Sequence, residues 1–451
     1  MSNAWTNIAK EITASAGVLA GKKIAVKDNI CTKDLPLTAA SRTLAHYRSP
    51  YDATVVHQLK AAGAHIAGKT NLDEFGMGSH TQFSFFGPSA HPLDPLRSPG
   101  GSSGGSAIAV AKNDCFAALA TDTGGSVRLP ASYCGVIGLK PSYGRFSRFG
   151  VVSYANSLDT VGILARDLPT LRAVYTQLDG YDEQDPTCMT PSTRAELNQL
   201  QKTRDSGVRI GIPYEFHTTE MASTVGKAWE TAAEKLERLG YSVVPVSIPI
   251  IPHALATYYI LAPAEASSNL AKYDGVRYGH RSNTSDSHNT MEAHFSSRFA
   301  DEYAQTRGES FGREVRRRIL LGNFVLSAEA YNNYFVQAQR VRRLLSQDFD
   351  GTFRTKNIMS TCNPNDNGVD VLLSPTSTTT APLLSNISSS SATEDYMSDS
   401  LTVPASLAGI PAMSLPFGTD EQGLSIGLSL TAQYGCEDHI FQVAESMLSV
   451  D

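Results

Sequence analysis

Residues 99–128 constrain this chain more than any other stretch. They open with Pro99-Gly100-Gly101-Ser102-Ser103-Gly104-Gly105-Ser106 and run on through the apolar residues 107–111. They close with Thr121-Asp122-Thr123-Gly124-Gly125-Ser126-Val127-Arg128. Glycine beside serine lets the backbone approach a ligand closely and take angles that other residues avoid. Two such loops, separated by about one helix and one short strand, predict a site for something small, held by backbone N–H groups and hydroxyls.

Better-known glycine motifs do not fit. A phosphate loop needs lysine after its last glycine, whereas Ser106 follows Gly105. No G-x-G-x-x-G is present, and Ser126 does not sit in a G-x-S-x-G elbow. None of the 11 histidines lies in an evident motif with a serine, and no His/Cys pair has zinc-ligand spacing, so no metal site is expected. Serine plus lysine remains. A serine hydroxyl needs a base within hydrogen-bond reach, and a buried lysine can be that base because desolvation disfavours its charged form. Lys27 directly follows the apolar run Ile24-Ala25-Val26, which points it from a strand end into the interior. Lys69 is the rival, although Asp73 four residues on would keep it charged.

The rest of the chain alternates strand and helix. Strands are expected over 24–26, 65–68, 115–120, 136–139 and 151–153. Asp52 is placed to cap a helix through Val55, Val56 and Leu59 that stops at Gly63, and another helix is expected over 106–112. A second run gives strand 208–212, a helix near 225–239 and strand 242–246. Residues 258–345 read as a helical excursion covering one face of the sheet. Strands 369–373, 412–415 and 424–430 and helices 401–407 and 437–448 complete the pattern. Such alternation implies an α/β core with a largely parallel sheet. The Ser/Asn-rich stretches 281–289 and 384–393 read as surface loops. No linker or repeat divides the chain, so residues 1–451 form a single domain with an N-terminal extension over 1–20.

The 38 basic and 44 acidic residues leave a formal charge of −6, which argues against nucleic-acid binding through the net field of this chain. Six scattered cysteines without a C-x-x-C predict reduced, mostly buried thiols. No apolar run approaches the roughly 20 residues that span a bilayer, so no membrane partner is expected. Residues 1–20 lack the apolar core of a secretory signal. They contain no arginine and carry Glu11, a poor match to a mitochondrial presequence.

Residues 100–106, 121–128, Pro130-Ala131 and Cys134-Gly135 together resemble the signature of the amidase signature family, and Lys27 precedes them at a matching distance. The resemblance covers nearly all of the chain after residue 20. It implies an α/β fold with a central mixed β-sheet covered by helices on both faces. Tyr258-Tyr259, residues 265–270, residues 273–279 and residues 315–321 are similar to the glutaminase branch of that family. Its members serve heteromeric glutamyl-tRNA(Gln) amidotransferases.

That resemblance implies a Ser-cisSer-Lys triad. Ser126 attacks the carboxamide of glutamine, and Ser102, behind a cis peptide after Gly101, relays the proton to Lys27. The backbone N–H groups of Thr123, Gly124, Gly125 and Ser126 hold the oxyanion. Arg318 takes the α-carboxylate of glutamine with Tyr258 nearby, and Asp399 takes the α-amino group. Tyr259 and Arg317 are adjacent candidates, while residues 316–318 as a solvated helix face and Tyr258 as core are the plainer alternatives.

The resemblance further implies no cofactor in this chain. It implies a tRNA-binding partner subunit that uses ATP and Mg2+, a small accessory subunit, and Glu-tRNA(Gln) reached through the complex. The stand-alone alternative is an amidase acting on a small or acyl amide. A short stretch before Lys27 and long stretches at 281–300 and 357–368 resemble fungal mitochondrial members. They imply a mitochondrial matrix location, with cytoplasmic as the alternative, and an N-terminal edge that a partner subunit covers.

Overall fold

In the computed structural model, which describes residues 2–9, 16–202, 207–282, 295–389 and 396–449, the apolar run ahead of Lys27 is a buried strand. This strand, β2 (Lys23–Lys27), has parallel neighbours on both sides. They are β3 (His65–Thr70) and β4 (Ala117–Asp122). The carboxyl ends of all three strands therefore reach the same edge of the sheet, where open α/β sheets gather ligands. Before them comes β1 (Trp5–Ile8). After them come β5 (Ile137–Lys140), β6 (Thr160–Ala165), β7 (Arg209–Pro213), β8 (Ser242–Val246), β9 (Val371–Pro375), β10 (Ala412–Thr419) and β11 (Ser425–Ala432). All eleven join one sheet in the order β1-β3-β2-β4-β6-β5-β10-β11-β9-β7-β8.

The sheet is mixed, which corrects the largely parallel sheet that alternation alone suggested. Among the described residues six strand pairings are antiparallel and four are parallel. The cause lies in two connections. No helix links β5 to β6, and a short turn joins β10 to β11 as a hairpin, so both pairs run antiparallel. The amidase-type expectation of a mixed sheet with helices on both faces holds.

One face is built for close approach. Ala25, Ala118 and Ala120 of the sheet pack with Ala107, Ile108 and Val110 of helix Gly104–Ala111 and with Ala131 of helix Arg128–Cys134. Small side chains on both sides bring these helices, and the serine loops ahead of them, down onto the sheet. Helices Thr54–Ala61, Leu168–Leu178 and Glu437–Leu448 contribute to the larger core on the other face.

The helical excursion does not lie flat on the sheet. Its first helix, Ala254–Asn269, packs mainly against helices Arg313–Val325, Phe335–Thr352 and Val403–Leu407. Contact with the first is very close: a Cβ at Gly322 would sit 2.0 Å from the Pro263 carbonyl oxygen, so only glycine fits there.

Several local expectations change. Residues 2–9 are no loose extension, because β1 pairs antiparallel with β3 and covers that edge of the sheet within this chain. Asn3 Nδ2 fixes it by donating to the carbonyls of Phe86 and Gly87. Asp52 does not cap helix Thr54–Ala61. Its carboxylate instead accepts from Lys33 N and Lys60 Nζ, and Ala53 holds the cap position without a side-chain bond. Val151 makes an isolated bridge to Ile30 and not a strand. Residues Leu384–Ser389 form a short helix, while 390–393 and nearly all of 281–289 fall outside the described residues. All six cysteines are free thiols, and every one but Cys362 is buried. No described helix is long and apolar enough to cross a membrane.

Candidate active site

Lys27 ends β2, and the pleat turns its side chain toward the face that carries helix Gly104–Ala111. Its Nζ donates to Ser102 Oγ at 2.7 Å and to Ser103 Oγ at 2.8 Å, with the Thr121 carbonyl at 3.3 Å. No carboxylate reaches it as an ion pair among the described residues. Complete burial pulls its pKa down to about 7, although Asp73, Asp122 and Asp159 act at longer range in the opposite sense. Lys27 is therefore largely neutral just above neutral pH and faces two hydroxyls. The Gly101–Ser102 peptide is cis. Asp73 supports this turn, since its N–H donates to the Ser102 carbonyl and its carboxylate accepts the N–H groups of Thr81, Gln82 and Phe83.

Lys69 goes elsewhere. It pairs with Asp28, Nζ to Oδ1 at 3.7 Å, and donates to the Ile30 carbonyl. Asp73 is not its partner, because residues 69–73 leave a strand instead of forming a helix, so the four-residue spacing does not bring them together.

The second serine loop leaves the end of β4. Asp122 organises it by accepting the Val127 N–H at 3.0 Å and both Nε and Nη2 of Arg128 at 3.0 and 2.8 Å. Burial opposes the Asp122 charge, but the Arg128 guanidinium more than compensates and holds this carboxyl below its usual range. Arg128 also donates to the Thr402 carbonyl, tying the loop to helix Val403–Leu407. Between these anchors, the N–H groups of Thr123, Gly124, Gly125 and Ser126 donate to no protein acceptor among the described residues. Buried backbone donors are rarely left so, and four in succession form a ready cradle for a negative oxygen.

Both glycines of the cradle are required by contact. A Cβ at Gly124 would lie 2.6 Å from the Tyr258 ring, and one at Gly125, with φ +148°, would lie 2.1 Å from Thr402 Oγ1. Ser126 Oγ makes no hydrogen bond among the described residues, while the Ser126 carbonyl accepts from Ser103 N at 3.2 Å. The two serine loops thus touch, and the Lys27–Ser102 link is formed, but the Ser102–Ser126 link is open.

A second cluster faces the cradle across Tyr258. Arg318 is buried, donating through Nε to Glu314 at 2.7 Å and through Nη1 to Tyr154 Oη at 2.7 Å. Its guanidinium lies against the rings of Tyr259 and Tyr396, which stack 3.8 Å apart. Asp399 accepts from Tyr259 Oη at 2.7 Å and Ser79 Oγ at 2.8 Å, and burial pushes its pKa up to about 6. Arg318 Nη2 and Asp399 Oδ1 have no hydrogen-bond partner among the described residues, leaving one cationic donor and one anionic acceptor that both border Tyr259.

The neighbouring candidates occupy different surroundings. Arg317 is half-exposed and pairs with Glu314, and Tyr259 serves Asp399, so Tyr258 is the residue that meets the cradle. Burial of Arg318 also rules out a solvated face at that position. Sequence reasoning missed Ser103, Asp73, Tyr154, Asp159, Glu314, Tyr396 and Thr402. Only Ser103, inside the serine loop, carried a local signal. A cavity of about 1120 Å3 lined by Tyr47, Tyr51, Phe149 and Tyr273 contains none of the site residues.

Known proteins resemble this chain at several distances. The Amidase family model matches residues 1–441. The chain is 48% identical to the A subunit of the mitochondrial glutamyl-tRNA(Gln) amidotransferase of Ajellomyces capsulatus, over 95% of this chain and 89% of the relative. It is 50% identical to the corresponding protein of Tuber melanosporum, over 94% and 84%. Among solved structures, the glutamyl-tRNA(Gln) amidotransferase A subunit of Thermotoga maritima superposes with a TM-score of 0.77 at 36% identity, covering 98% of this chain and 86% of that one.

Proposed function

The chain belongs to the amidase family, and from that premise we propose that it is the glutaminase subunit of a heteromeric glutamyl-tRNA(Gln) amidotransferase. The observation that carries the proposal is the pairing of two unsatisfied sites. Four free N–H groups await an oxyanion, and across Tyr258 a free guanidinium nitrogen and carboxylate oxygen await the two charges of an amino acid. Glutamine carries an amide at one end and an α-carboxylate and α-ammonium at the other.

Ser126 is the nucleophile. Neutral Lys27 takes its proton through Ser102, once rotation of the free Ser126 hydroxyl closes the open link of the relay. As Oγ bonds to the amide carbon, negative charge passes to the carbonyl oxygen. The Thr123–Ser126 N–H groups receive it, each such donor being worth about 3 kcal/mol of transition-state stabilisation. The proton held by Lys27 returns through Ser102 to the leaving nitrogen, the C–N bond breaks, and ammonia departs. Water then hydrolyses the glutamyl ester on Ser126 by the reverse relay, yielding glutamate. Arg318 and Asp399 hold the α-carboxylate and α-ammonium throughout, with Tyr258 closing the site over Gly124.

In this reading the ammonia goes to a partner subunit that binds Glu-tRNA(Gln) and uses ATP and Mg2+, with a small accessory subunit completing the complex. The chain itself needs no cofactor. The mitochondrial relatives support a mitochondrial location, and the matrix is the compartment that goes with a role in organellar translation.

Ser126→Ala in the assembled enzyme tests the proposal. Glutamine-dependent amidation of Glu-tRNA(Gln) is expected to vanish while amidation supported by ammonium chloride persists. Retention of the glutamine-dependent rate would overturn it. Efficient turnover of a simple acyl amide by the isolated chain, insensitive to Arg318→Ala, would instead favour a stand-alone amidase.

A further inference from the structure

A glutaminase of this design must hold its two half-sites at a fixed separation, because glutamine spans them with a chain of fixed length. A carbonyl displaced by about 1 Å from the cradle costs on the order of 100-fold in rate. The cradle belongs to the loop after β4, whereas Arg318 belongs to a helix of the excursion, and no backbone hydrogen bond joins them.

One buried carboxylate does bridge them. We propose that Asp159 is a positioning residue that sets the distance between the oxyanion cradle and the Arg318 clamp. Its Oδ1 accepts from Thr123 Oγ1 at 2.8 Å, and Thr123 contributes the first N–H of the cradle. Its Oδ2 accepts from the backbone N–H groups of Tyr154 and Ala155 at 2.8 and 3.0 Å. Tyr154 in turn accepts from Arg318 Nη1 through its hydroxyl, and its carbonyl accepts from Asn269 Nδ2 of helix Ala254–Asn269. Thr123, Asp159, Tyr154 and Arg318 thus form an unbroken buried chain from one half-site to the other. Asp159 also stands one residue before β6, where Thr160 pairs with Asp122. The same strand pair therefore fixes the base of the bridge.

Both carboxylate oxygens accept, so alanine removes the whole bridge, whereas asparagine keeps it by presenting Oδ1 to the Tyr154 and Ala155 N–H groups and its own N–H to the Thr123 hydroxyl, which donates or accepts. The plain rival is that Asp159 only closes the 154–159 turn.

The inference rests on the glutaminase reading, and the test separates the two. Glutamate formation by the assembled enzyme is measured for wild type, Ser126→Ala, Asp159→Ala, Thr123→Val, Tyr154→Phe and the pairwise combinations. Loss of Ser126 dependence in the wild type would sink the glutaminase reading itself. With that dependence present, Asp159→Ala is expected to lower kcat/KM about 100-fold. Thr123→Val should lower kcat about tenfold with little change in KM, Tyr154→Phe should mainly raise KM, and Thr123→Val should add nothing in the Asp159→Ala background. A Thr123→Val loss of equal size in both backgrounds, or Asp159→Ala activity within threefold of wild type, overturns the bridge. Should Asp159→Ala not fold, the decision falls to the Thr123→Val/Tyr154→Phe pair. A combined loss smaller than the product of the single losses supports the bridge, and full multiplicativity rejects it.

Discussion

Lys27 and Lys69 sit one strand apart on the same sheet, both fully buried at the carboxyl ends of parallel strands, yet their surroundings differ entirely. In the register of β2 and β3, Val26 lies beside Lys69 and Lys27 beside Thr70. Residues paired across neighbouring strands share a face while successive residues alternate, so the two lysines emerge on opposite faces. Lys27 meets the helix that starts with the serine loop and finds hydroxyls. Lys69 meets the Asp28 turn and finds a carboxylate and a carbonyl. Burial lowers both pKa values, and only Lys69 has an adjacent carboxylate to oppose it. One lysine is left able to accept a proton, and the other is held as part of the frame. In the proposed mechanism, what decides between catalysis and architecture is the face of the pleat.

Exchanging each lysine for methionine probes the contrast most strongly. Lys27→Met should lower glutamine-dependent activity by about 10²- to 10⁴-fold, as loss of a general base does, with no loss of thermal stability, since an apolar chain replaces a desolvated amine. Lys69→Met should do the reverse. It strands the Asp28 carboxylate in the interior, which costs roughly 3–5 kcal/mol, read as a fall in Tm. Activity per folded molecule should stay near wild type. If the two variants gave the same phenotype, the division of labour would be wrong.

The smallest effect is the pH dependence. A lysine base works only when unprotonated, and the Lys27 pKa is lowered to about 7, so the active form is lost as pH falls through that value. The kcat/KM for glutamine should then drop tenfold per pH unit below about 7 and level off above it. An acid limb centred near 10 would mean that Lys27 is no more perturbed than a surface lysine.

Local chemistry made much of this legible in advance. Each serine loop is continuous in sequence, so composition and spacing pointed straight at them, although the contacts that demand their glycines come from remote residues such as Tyr258 and Thr402. The strand ahead of Lys27 was readable from three apolar residues. The fold sets Lys27, not Lys69, against the serine loop, but the reason given against Lys69 fails: Asp73 belongs to the serine turn and Asp28 is the true partner. β1 was missed because a four-residue edge strand with a polar middle has no periodicity to speak of, and only pairing with β3 gives it a role.

The sequence by itself determined the class of fold and the pair of serine loops with their lysine, because those properties follow from short-range backbone and burial requirements. Tertiary structure alone decided which of two buried tyrosines, Tyr258 and Tyr259, meets the cradle, and which of Arg317 and Arg318 turns inward. It also decided that Asp399 meets Tyr259, that Gly124 is pressed by a tyrosine from another helix, and that Asp159 spans the site. Each of these depends on how remote helices cross over the strand ends, and no local pattern encodes a crossing. The amide end of the site was written in one stretch of chain, and the amino-acid end had to be assembled.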